Sequence, residues 1–135
     1  MTAKEKQTLL EQYRALRQET DYFVEKLEYV KSLRASLPAR RDERTGKGYK
    51  GSRTEQIALK IVELERLYLT KRGEALELRV RIETAIAAIP DATQRQLLRL
   101  RYIDGLVNWK VAEQLNYSEV HVYRLHKKAL EALEL

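Results

Sequence analysis

A chain of 135 residues with 44% hydrophobic content can build one core or two thin ones, and its 34% charged residues, five Gly and two Pro favour helices over turn-rich sheets. The absence of Cys excludes disulfide frameworks and Cys-ligated metal centres, and no uncharged apolar run approaches the ~18 residues of a membrane span. With 26 Lys and Arg against 20 Asp and Glu, the net charge of +6 tilts the chain toward a polyanionic partner. The polar start, Met1 to Gln7, lacks the apolar run of a secretory signal, so a soluble, cytoplasmic protein with no membrane partner is expected.

Leu9, Tyr13, Leu16, Thr20, Phe23, Leu27, Val30, Arg34 and Leu37 alternate at spacings of four and three, which predicts a helix with a heptad seam. A second seam runs Ile57, Ile61, Leu64, Tyr68, Lys71, Ala75, Leu78, Ile82, Ala85 and Ile89. Pro38 closes the first helix and Pro90 the second, because proline disfavours helical geometry in the residue before it. An antiparallel hairpin in which the two seams bury each other is the expected arrangement, with pairing between chains as the alternative. Such pairing would make a homodimer.

Residues 38–53, between the helices, carry Gly46, Gly48 and Gly51, no hydrophobic period and a surplus of four positive charges. They read as a loop. Arg40, Arg41, Arg44, Lys47, Lys50 and Arg53 are candidate phosphate-contacting residues of a flexible arm, weighed against a plain solvated linker. No phosphate-loop string is present, so the glycines do not imply nucleotide binding.

From Pro90 onward three short helices are predicted. Asp91 or Thr93 caps the first, whose apolar residues Leu97, Leu98, Leu100, Tyr102 and Ile103 end at Asp104-Gly105. Asn108 is expected to cap the second, Trp109 to Leu115, and Ser118 the third, which runs to about Leu133. A helix-turn-helix needs a small residue where its helices cross, and four positions later a residue tolerant of left-handed backbone. Buried aliphatics follow ten and thirteen positions after the small residue. Ala112, Asn116, Val122 and Leu125 satisfy that pattern.

Turning 100° per residue from the inward side of the third helix places Val120, Arg124 and Lys127 outward, flanked by His121, Tyr123 and Lys128. Together with Ser118 these are the candidate DNA-binding residues: Arg124 for guanine or phosphate, the lysines for phosphate, Val120 for a thymine methyl. A solvated basic face is the plain alternative. Trp109 and Tyr102 are expected in the core. His121 and His126 diverge by about 140° on a helix and cannot share a metal. The carboxylates of the long helices alternate with Lys and Arg as on a solvated coiled-coil flank, so neither a metal, a cofactor nor an enzymatic activity is expected.

The stretch Gln96-Leu97-Leu98-Arg99-Leu100-Arg101-Tyr102, Asp104-Gly105-Leu106, Val111-Ala112-Glu113-Gln114-Leu115, then Ser118, Val122, Leu125 and Ala129-Leu130, resembles region 4 of bacterial sigma factors, a promoter-reading helix-turn-helix. The charged N-terminal half together with Tyr117 to His126 looks like the small phage and prophage transcriptional regulators of the ArpU and RinA kind. That resemblance implies a phage-encoded, DNA-binding activator of late genes that also touches RNA polymerase. Region 4 usually has basic and acidic side chains at the positions of Glu119 and Val120 and another basic one at Tyr123, so only Arg124 sits where a polar base-reading residue is expected and the promoter preference does not carry over.

The expected protein is all-α: a coiled-coil hairpin over 1–89, then a helix-turn-helix domain over 90–135. Its expected function is sequence-specific binding of double-stranded DNA in transcriptional regulation. Two rivals are an adaptor that docks on RNA polymerase without specific DNA binding, and a phage DNA-packaging recognition subunit.

Overall fold

The computed structural model describes residues 1–37 and 52–135, whose regular elements are all helical. In chain order they are α1 (Ala3–Ala35), α2 (Arg53–Ala87), α3 (Ala92–Leu98), a π-helical turn (Arg99–Ile103), α4 (Asn108–Leu115) and α5 (Glu119–Ala132). Five of the six loop cations proposed from sequence, Arg40, Arg41, Arg44, Lys47 and Lys50, lie outside the described residues. The sixth, Arg53, is the exposed first residue of α2. No helix among the described residues is long and apolar enough to cross a membrane.

Contacts divide the chain into two compact units, Met1–Arg17 with Glu74–Leu135, and Gln18–Gly73. Both long helices contribute to each. In the second unit Leu27 and Val30 of α1 pack with Ile57, Ile61 and Leu64 of α2, and Phe23, Leu33, Leu37 and Tyr68 close the cluster. Ion pairs Glu19–Lys71 at 3.6 Å and Lys31–Glu65 at 3.8 Å span the seam. Rising numbers on α1 meet falling numbers on α2, so the helices run antiparallel, as the seams predict. Both pairs are partly open to solvent and mainly fix register, because surface pairs are worth about 0–1 kcal/mol. Seam member Lys71 thus points its ammonium to the edge, whereas Arg34 is exposed.

The first unit has the larger core. Ile82, Ile86 and Ile89 of α2, Leu97 and Leu98 of α3, Val111 of α4 and Val122, Ala129 and Leu130 of α5 are buried in one cluster with Leu10 and Tyr13 of α1. Leu10, expected off the seam, is completely buried, while the predicted seam member Leu9 is only partly covered. Heptad logic assumes one partner helix. Here α1 packs against several, so its buried side is wider. Lys6 donates from Nζ to the carbonyls of Leu130 at 2.9 Å and Glu131 at 3.4 Å, placing a cation at the C-terminal end of α5 where free carbonyls favour it. Arg17 donates in the same way to the carbonyl of Ile103.

Asp91 caps α3, its Oδ1 accepting the Gln94 amide at 2.9 Å. Arg95 donates to the carbonyls of Ile89 at 2.6 Å and Pro90 at 2.9 Å, which binds the end of α2 to the start of α3. The apolar residues of the next stretch do not share one face of a regular helix, since Leu98, Leu100, Tyr102 and Ile103 spread around most of its circumference. All of them are buried. The π turn there holds one residue more than an α turn, a shift the periodicity did not disclose. Gly105 ends it at φ +73°, and the Leu106 amide donates back to the Leu100 carbonyl at 3.0 Å.

The turn between α4 and α5 follows the predicted chemistry. Asn116 is left-handed at φ 59° and ψ 43°, and the Tyr117 amide donates to the Ala112 carbonyl at 2.9 Å, closing the helix end. Asn tolerates this geometry better than other residues with a Cβ because its side chain bonds locally. Replacing Asn116 with Val should therefore cost about 1–3 kcal/mol, and with Gly well under 1. Urea unfolding of the two variants checks this, and equal costs would show that backbone geometry is not what selects the residue.

Candidate nucleic-acid interface

Burial on one side of α5 fixes what its other side presents. Val122, Ala129 and Leu130 are buried and Leu125 is partly so, which turns Val120, Tyr123, Arg124 and Lys127 outward. All seven candidates, Ser118, Val120, His121, Tyr123, Arg124, Lys127 and Lys128, are exposed on α5 or at its start. Ser118 caps the helix, its hydroxyl accepting the His121 amide at 3.1 Å. Val120 and Tyr123 keep 62% and 64% of their surface exposed. Three residues apart on the helix, they form one small apolar patch on this face. His121 stands edge-on to Tyr117 with ring centroids 4.5 Å apart, which orders the flank of this face.

Two expectations require correction. Asn108 does not cap α4: the cap is Val107, in extended backbone with no side-chain hydrogen bond, and Asn108 is the first helical residue. Its Oδ1 instead accepts a hydrogen bond from Arg101, a charged donor that outcompetes a backbone amide. Trp109, expected in the core, is 54% exposed, and Lys110 lies 5.6 Å from its ring centre. Trp109 stands about 160° around α4 from buried Val111 but about 60° from buried Ala112, so it lies at the border of the buried side rather than within it. Trp109, Val107 and Tyr117 enlarge the exposed apolar surface of the helix-turn-helix beyond the residues named from sequence.

A polar cluster sets the rotation of α5 from beneath. The Tyr102 hydroxyl and His126 Nε2 are 2.6 Å apart. Burial pushes the Tyr102 phenol up, against the opposing charge of Arg101, so it stays protonated. Burial first, and Arg101 second, push the His126 imidazole down from 6.5 to about 4. At neutral pH the imidazole is therefore uncharged, and the phenol donates to Nε2 when Nδ1 carries the ring proton. Since the folded pKa lies below the unfolded one, stability is full above pH 6.5 and falls as the pH drops toward about 4. His126→Gln should flatten that part of the Tm-against-pH curve. A curve of unchanged slope would remove His126 as the cause.

Among the described residues no group of three or more His, Cys, Asp or Glu side chains is placed to hold a metal ion. The arrangement presents a capped helix with an Arg, two Lys and apolar tips, a surface suited to contact rather than chemistry. No curated protein and no solved structure matches the chain. One family model, described as a protein of unknown function (DUF1492), matches residues 43–134, which include all of α2 to α5, and the chain belongs to that family.

Proposed function

We propose that the protein binds double-stranded DNA in a sequence-specific manner and regulates transcription, with α5 lying in a major groove. The outward face of α5 carries this reading. Arg124 stands on it between Tyr123 and the Lys127–Lys128 pair, one turn or more beyond the Ser118 cap. Arg offers paired donors to the O6 and N7 of guanine, Val120 offers contact to a thymine methyl, and lysines neutralise phosphates. The helix N-terminus adds its free amides near the backbone. The resemblance to phage regulators of the ArpU and RinA kind extends the proposal to a phage-encoded activator of late genes, working in the cytoplasm of a bacterial host and touching RNA polymerase.

Selection from a random DNA pool with the full-length protein at about 150 mM salt, where nonspecific attraction is screened, tests the reading. Recovery of one motif is expected. No enrichment would overturn specific readout by the isolated protein and favour the adaptor reading. The exposed Trp109 supports that second reading, because an indole in solvent is a frequent anchor of protein contacts.

A further inference from the structure

α2 carries two heptad stripes, and only one of them is buried among the described residues. The seam Ile57, Ile61, Leu64 and onward packs against α1. Leu59, Val62, Leu69, Leu76 and Val80 also stand at spacings of three and four or their sums, with Arg66 and Gly73 filling the register. This second row is centred about 150° around the helix from the first. Its five apolar members are exposed by between 45% and 70%. Single exposed apolar residues are ordinary on a protein surface, but Leu59, Val62 and Leu69 in heptad register with Arg66 and Gly73, all in the unit Gln18–Gly73, mark a helix-packing face.

We propose that this face of α2 binds a second copy of the chain, the two α2 helices packing antiparallel about a twofold axis. The inference holds whether or not α5 reads DNA. In the register that sets Val62 against Gly73 of the partner subunit, Arg66 meets Leu69 of the partner subunit, all within the unit Gln18–Gly73. Nothing lies within 4 Å of a Cβ built at Gly73, so there is room for the valine. The methylenes of Arg66 cover the leucine while its guanidinium reaches the rim. The same register brings Glu65 beside Arg72 of the partner subunit, twice by symmetry, and sets Glu63 beside Thr70 of the partner subunit, so no acid opposes an acid. Glu65 pairs with Lys31 at 3.8 Å yet keeps 49% of its side chain exposed, leaving an oxygen for the second cation. A parallel pair would instead set Arg66 against its own copy and lose that complementarity.

Sedimentation equilibrium of the full chain at micromolar concentrations is expected to give twice the 15.9 kDa chain mass. Leu69→Glu and Val62→Glu should each return the monomer with an unchanged far-ultraviolet circular dichroism spectrum, since both side chains are exposed. Glu65→Arg should raise the dissociation constant about tenfold by turning two attractive pairs repulsive, and Glu65→Arg with Arg72→Glu should restore it. A wild-type monomer throughout that range, or a dimer indifferent to Leu69→Glu, overturns the proposal. A dimer indifferent to Glu65→Arg overturns the antiparallel register, and with it the proposal as stated.

Discussion

Tyr13→Ala is expected to cost about 3–5 kcal/mol and to loosen helices more than 80 residues away in sequence, the range for removing a large aromatic side chain from a core. Tyr13 is 2% exposed and lies in the cluster that holds Leu97 and Leu98 of α3, Val111 of α4 and Val122 of α5. A packed site collapses only partly when a ring is deleted, so the cavity term adds to the lost transfer energy. Denaturant unfolding gives the total. Amide exchange in α5 locates it, because a residue that supports the helix-turn-helix should raise exchange there as well as in α1. A cost below about 1 kcal/mol, or an effect confined to α1, would mean that the core of α3 to α5 closes without the N-terminal helix.

Arg124→Ala should cost about 1–3 kcal/mol on the selected DNA site and relax preference at one base pair, whereas Lys127→Ala should weaken all sequences alike and reduce the salt slope by about one. The two side chains differ in chemistry more than in place. A guanidinium donates two parallel hydrogen bonds to one base edge, while an ammonium acts as a point charge on the phosphates. Both side chains are exposed on α5, so neither change should disturb the fold. Titration of both variants against the selected site and a scrambled one separates the roles. Unchanged binding by both would remove this face of α5 from DNA recognition.

Much of this architecture is legible in residue spacing, and the exceptions share a cause. The α2 seam, the Asp91 and Ser118 caps and the left-handed Asn116 follow from local rules that operate over a few residues. Leu10 in place of Leu9, and the π turn at Arg99–Ile103, depend on what several helices bring to one core. Periodicity cannot report that. Trp109 lies outside because its phase on α4 puts it at the border of the buried side, and the capping propensity of Asn108 does not reveal the competing Arg101. On α2 two stripes have the same period, and only the packed structure tells which lies inside. For the candidate interface, the outward set on α5 was readable once Val122 and Ala129 were taken as its buried anchors. Its extension to Val107, Trp109 and Tyr117 was not.

The π turn also determines how the chain tolerates changes in length. A π turn is an α-helix holding one surplus residue, so deleting one residue between Arg99 and Ile103 would leave a regular helix with every backbone bond still satisfiable. Everything downstream would then be rephased by about 100°. Arg101 would lose its line to Asn108, Tyr102 its line to His126, and α5 the rotation that turns Arg124 outward. Insertions and deletions in this short segment therefore act as a rotary setting for the whole C-terminal face, in a place where the secondary structure itself would look undamaged.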